Sequence, residues 1–203
     1  MKALLQCAAT VDALNDFIGR HINWLVLAMV FISAGNAVVR KAFNTSSNAF
    51  LEIQWYLFAA VFMLGAAFAF LKNAHVRIDF LSARLSERTR AWVDIVGIVV
   101  FLLPFCWMMI DLGWPLFANA LKSGEMSQNA GGLIRWPVYF LIPAGFALLF
   151  AQALAELIKR IAYLRGHLQN MLGHPPEETE DERLARELLE MSEAAARKDG
   201  ARS

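Results

Sequence analysis

Between Trp55 and Leu71 the chain runs for seventeen residues without a charge, an amide or a hydroxyl, apart from the phenol of Tyr56. At about 1.5 Å of rise per residue, the stretch 51–71 makes roughly 30 Å of helix, the thickness of a bilayer's hydrocarbon core. A segment this apolar and this long has one economical solution in lipid: a helix that satisfies its own backbone. Directly after it the chemistry inverts, with Lys72, Asn73, His75, Arg77 and Asp79 arriving within eight residues.

Three more stretches have the same character: 22–39, introduced by Trp24 and closed by Arg40 and Lys41; 93–117, containing Pro104; and 137–158, containing Pro143. Proline kinks a spanning helix, and neighbouring helices can satisfy the carbonyl it frees. The whole chain of 203 residues is 58% apolar and 18% charged, against about 45–50% and about 25% in soluble domains. The fold class is therefore an all-α integral membrane protein, with four transmembrane helices plus interfacial amphipathic helices. Residues 1–21 are expected to form one such helix, because Leu4, Ala8, Val11, Leu14 and Ile18 recur at helical spacing while Asp12, Asn15 and Asp16 fall elsewhere. Residues 22–158 form the four-span domain. Residues 79–90 suggest a second helix along the membrane surface, and 159–203 a C-terminal segment. Beyond Pro175 and Pro176 that segment is polar, with five basic and nine acidic residues over 174–203.

Orientation follows from the basic residues. Lys2, Arg20, Lys72, Arg77, Arg84, Arg88, Arg90, Lys159, Arg160 and Arg165 fall on one side, and only Arg40, Lys41, Lys122 and Arg135 on the other. Both termini are expected in the cytoplasm. No dense basic patch stands clear of the spans, so a nucleic-acid partner has no support. Cys7 and Cys106 lie at a terminus and in mid-span, which argues against a disulfide.

Ionisable groups within spans are the first functional candidates in such a chain. Glu52, Asp94 and Glu156 stand near span ends, where side chains can snorkel to water. Asp111 stands deeper, between Trp107 and Trp114, and is expected to contact a partner, backbone or water. No span carries a pair of histidines for haem. There is no phosphate loop, zinc motif or nucleophile elbow, so neither catalysis nor a cofactor is expected. Gly65 and Ala69 sit one turn apart in the second span, a spacing that lets helices approach closely; Ala147, Ala151 and Ala155 repeat it in the fourth. Arg40 and Glu52 flank the first outer loop, as a pair or as independent snorkelling charges.

Several runs carry a family resemblance. They are Phe62-Met63-Leu64-Gly65-Ala66-Ala67 with His75-Val76-Arg77-Ile78-Asp79; Gly124-Glu125-Met126-Ser127 with Gly131-Gly132-Leu133-Ile134-Arg135-Trp136-Pro137; and Ile142-Pro143-Ala144-Gly145-Phe146-Ala147-Leu148-Leu149. Their order along a four-span chain resembles the small membrane subunit of tripartite ATP-independent periplasmic (TRAP) transporters, over about residues 20–165. The resemblance implies a bacterial inner-membrane importer in which a periplasmic binding protein delivers an organic acid to a large membrane subunit. That large subunit carries the sodium and substrate sites, and the small one acts as a stator. On this view Arg77 and Asp79 pin the surface helix or meet lipid and the large subunit. Glu125, Ser127 and Arg135 either contact a partner at the periplasmic face or cap their own helices. A membrane anchor for a different complex, such as an oxidoreductase, is the alternative.

Overall fold

The computed structural model describes residues 1–44, 47–73 and 86–168, together with Leu184 and Arg186. The chain divides into two units, Met1–Met171 and Leu172–Ser203. Of the second, Leu184 and Arg186 are helical, and the rest of the polar tail lies outside the described residues.

Among the described residues, the first unit holds four helices long and apolar enough to cross a membrane: α1 (Lys2–Phe43), α2 (Asn48–Leu71), α3 (Glu87–Ser123) and α4 (Trp136–Leu164). Among the described residues there is no strand, only an isolated antiparallel bridge between Met126 and Ile134. Helix α4 is the hub. It packs against α1, α2 and α3, whereas α3 makes its substantial contacts with α4 and α1 pairs with α2. Burial follows this arrangement, with α4 contributing Pro143, Gly145, Gln152, Ala153, Ala155 and Glu156 to the interior.

Helix α1 runs unbroken through 42 residues, about 63 Å at the standard rise, so the segment 1–21 and the first span are one continuous rod. Its faces are the reverse of those of a helix on a water-facing surface. Asp12 and Asn15 are 5% and 1% exposed, while Leu4, Leu14 and Phe17 are open. The polar stripe faces the other helices and the apolar stripe faces outward.

Helix α3 starts at Ser86, whose hydroxyl accepts from the Thr89 amide at 3.2 Å, an N-cap that satisfies one of the helix's orphan donors. Within it Ile98–Leu102 is a π-helical segment. Pro104, two residues on, has no N–H to give, and the wider hydrogen-bonding turn is one way a helix absorbs that loss. Gly124, at φ 62°, ends α3 in the left-handed conformation that glycine adopts without a Cβ clash.

The closest helix approaches lie at glycines other than Gly65. A Cβ on Gly145 of α4 would meet the Met63 carbonyl oxygen of α2 at 2.7 Å, and one on Gly19 of α1 would lie 2.2 Å from the Phe68 ring. On Gly65 the nearest atom, Ile22 Cδ1, would stand at an ordinary 3.4 Å. Ala67 is fully buried and Ala69 only partly so. On α4, Ala155 is buried but Ala147 is exposed, so that alanine stripe is not the packing face as a whole.

Candidate functional site: two polar clamps and an apolar outer face

The bundle has a tail end, where α1 begins and α4 finishes, and a loop end, where residues 124–135 connect α3 to α4. Each is braced by a polar clamp. At the tail end Gln152 of α4 accepts from Asn15 Nδ2 at 2.8 Å and donates through Nε2 to Asp12 Oδ1 at 2.8 Å and to Glu156 Oε1 at 3.3 Å. Lys159 Nζ reaches both oxygens of Asp12, at 3.2 and 3.1 Å, and also pairs with Glu156. Arg160 binds Asp94 of α3 through Nε at 3.0 Å and pairs with Glu156 through Nη1. Asp12, Asn15, Gln152, Glu156, Lys159 and Arg160 are all buried. The clamp therefore ties α1, α3 and α4 together with side chains alone.

Two outer contacts extend the clamp. Asp16 pairs with Arg20 and, at 3.4 Å, with Lys72 just beyond α2. Tyr163 donates to Glu87 Oε2 at 2.6 Å, joining the end of α4 to the start of α3.

At the loop end one carboxylate gathers a whole loop. Glu52 of α2 is 4% exposed. It accepts from the Ser127 hydroxyl, from Asn129 Nδ2 at 2.8 Å and from the Leu133 amide at 2.7 Å. One turn to either side, Asn48 Nδ2 donates to the Ala130 carbonyl at 3.0 Å and the Tyr56 hydroxyl to the Ile134 carbonyl at 3.2 Å. Spacing of four places Asn48, Glu52 and Tyr56 on one helix face, and that face carries the loop. Gly132 makes room for it, since a Cβ there would sit 2.8 Å from Glu52 Oε1 and 2.5 Å from the Ser127 Cβ. Arg135 Nη1 closes the loop on Glu125 at 3.1 Å and on the Tyr139 hydroxyl at 3.2 Å. Those two groups hold its guanidinium pKa above the ordinary value, Tyr139 contributing most.

Of the candidates from the sequence, Glu52 and Ser127 are brought together, as are Glu125 and Arg135. Arg40 and Glu52 are not a pair: Glu52 is enclosed by the loop, and Arg40 is exposed without an ion pair among the described residues. Glu156 is buried and Asp94 partly buried, and both are paired with Arg160. Asp111 faces outward on α3 with no hydrogen bond or ion pair among the described residues, among exposed Trp107, Met108, Leu112 and Trp114. His75, Arg77 and Asp79 lie outside the described residues, as does most of the expected surface helix 79–90. Cys7 and Cys106 are free thiols. Among the described residues no cluster of three metal-ligating side chains occurs.

The tail-end clamp was missed. Its signal was present: Gln152, Glu156, Lys159 and Arg160 recur at spacings of three to four in an otherwise apolar helix, the pattern of a polar stripe buried against another polar stripe.

With this geometry in place, a comparison across families matches residues 23–162, well over half of the chain, to the family described as tripartite ATP-independent periplasmic transporters, DctQ component. A TRAP transporter small permease protein of Haemophilus influenzae is 28% identical over 146 residues, covering 71% of this chain and 86% of the relative. The C4-dicarboxylate TRAP transporter small permease protein DctQ of Vibrio cholerae is 26% identical over 210 residues, covering 90% and 85%.

Proposed function

The chain belongs to the family of DctQ components of tripartite ATP-independent periplasmic transporters, and we propose that it serves there as the non-catalytic scaffold of a sodium-coupled importer of organic acids. The carrying observation is the direction of its polar side chains. Asp12, Asn15, Gln152, Glu156, Lys159 and Arg160 turn inward and brace helix against helix, and Glu52 turns inward to hold the loop before α4. An ion or substrate path would require such groups along a hydrated route; here they are buried and bound to one another or to the loop. The name of the Vibrio relative, a C4-dicarboxylate transporter subunit, supports a carboxylate cargo.

In this reading the large membrane subunit carries sodium and substrate, and a periplasmic protein delivers the acid. The chain sits in the inner membrane with both termini in the cytoplasm, as the basic residues argue. The large subunit packs on the outward apolar face of α3. A carboxylate facing lipid is costly, so Asp111 meets a cation or donor of that subunit. Arg77 and Asp79 anchor the connection between α2 and α3 at the cytoplasmic surface, while Glu125 and Arg135 present the loop end to the periplasm.

Reconstitution tests this. Liposomes holding this chain, the large subunit and the binding protein should take up organic acid along an inward sodium gradient, and liposomes holding this chain alone should not. Uptake by the chain alone would overturn the scaffold reading. Asp111→Asn should leave the chain folded but lower its co-purification with the large subunit, and unchanged recovery would remove Asp111 from the interface. A reporter fused after Arg165 that is active outside the membrane would reverse the orientation.

A further inference from the structure

Residues of α1 and α2 line an open, two-part crevice. The part further from the loop end, about 460 Å³, is apolar and lined by Met29, Val30, Ala34, Trp55 and Phe58. The part nearer the loop end, about 660 Å³, is polar and lined by Asn36, Arg40, Lys41, Asn44 and Leu51. Ser33 and Gln54 line both. At their junction the Ser33 hydroxyl donates to Gln54 Oε1 at 2.8 Å. Arg40 and Lys41 are exposed and carry no ion pair among the described residues.

The residues that line the crevice on α1 run from Met29 to Asn44, about 22 Å of helix. One leaflet of a bilayer, hydrocarbon and headgroup region together, measures about 20–22 Å. The polarity changes along the crevice in the same sense as along a lipid: apolar at hydrocarbon depth, amide and hydroxyl at the level of the esters, two cations at the headgroup. We propose that this crevice is a binding site for one anionic phospholipid of the leaflet at the loop end. Its phosphate lies between Arg40 and Lys41, and one acyl chain lies along Met29, Val30 and Phe58. These two cations, exposed and without an ion pair among the described residues, supply the charge complementarity. A free phosphate would leave the apolar half of the crevice empty, so the lipid is the occupant.

Native mass spectrometry on the full chain, purified with its large subunit, tests the site with phosphatidylglycerol and phosphatidylcholine of identical acyl chains. Phosphatidylglycerol should be retained at lipid concentrations on the order of tenfold lower than phosphatidylcholine, given two basic residues at an anionic headgroup. The Arg40→Gln/Lys41→Gln variant should lose that preference. Ala34→Trp, which fills the apolar half from an exposed position, should lower retention of both lipids. Inorganic phosphate should not displace the bound lipid. Equal retention of the two lipids by the unaltered chain, or an undiminished preference in the double variant, would overturn the proposal. So would loss of the large subunit from the double variant with lipid retention intact, which would make the crevice a protein contact.

Discussion

At the tail end, three carboxylates and two cations from α1, α3 and α4 are packed together with two amides, and most of them are buried. At the loop end, a single carboxylate, Glu52, is surrounded by neutral donors from one loop: a hydroxyl, an amide and a backbone N–H. Both clamps hold elements distant in sequence, but they differ in how they fail. A buried ion pair depends on both partners, because removing one leaves an uncompensated charge in a poorly polar interior. Glu52 has several modest partners, so losing one loosens the loop without stranding a charge. The tail end therefore sets whether the bundle assembles, and the loop end sets how its connecting segment is presented.

The sharpest way to break that distinction is Lys159→Met. It leaves Asp12 and Glu156 with a buried deficit of positive charge and should cost about 3–5 kcal/mol, seen as poor accumulation or a large fall in thermal midpoint in detergent. Adding Asp12→Leu should restore part of that loss, since a pair removed together is tolerated better than half a pair. If the single variant is as stable as the unaltered chain, the tail-end cluster is not a clamp. Gly145→Ala comes next. Its Cβ would sit 2.7 Å from the Met63 carbonyl oxygen, and overpacking of this kind costs about 1–3 kcal/mol, a moderate shift of the same midpoint. The matching change at Gly65, where the nearest atom would be 3.4 Å away, should shift it far less.

Ser127→Ala tests the loop end. Hydrogen exchange at the Leu133 amide should accelerate, on the order of tenfold for one lost hydrogen bond to a charged group, while the global midpoint stays close to that of the unaltered chain. A global collapse would show that the two ends fail alike. The smallest effect is expected for Glu125→Ala. It removes an exposed pair with Arg135, of a kind that contributes little to stability, and should leave the midpoint unchanged. Any loss of uptake in the reconstituted system would then report on contact with a partner and not on folding.

Much of this protein is legible in the sequence. The four helices and their apolar lengths follow from runs such as 55–71, because the bilayer's demand on a segment is local: enough apolar residues, with backbone satisfied within the helix. Glu52, Glu125 and Arg135 stand out in the sequence because charges at span ends and in the loops beside them are few, whereas Ser127 stands out only through the run Gly124-Glu125-Met126-Ser127 that carries the family resemblance. What could not be read was which way a polar stripe faces. Asp12, Asn15 and Asp16 look the same whether they meet headgroups or another helix. Only the tertiary structure, by placing Gln152 and Lys159 of α4 against Asp12 and Asn15, decides that this stripe is interior. The same holds for Arg40 and Glu52: neighbours across a short loop, they are separated because Ser127, Asn129 and Leu133, 75 to 81 residues further on, reach Glu52 first. Hydrophobic length is a one-dimensional property and survives in the sequence. The partner of a buried charge is set by helix rotation and packing, which are fixed only when all four helices come together.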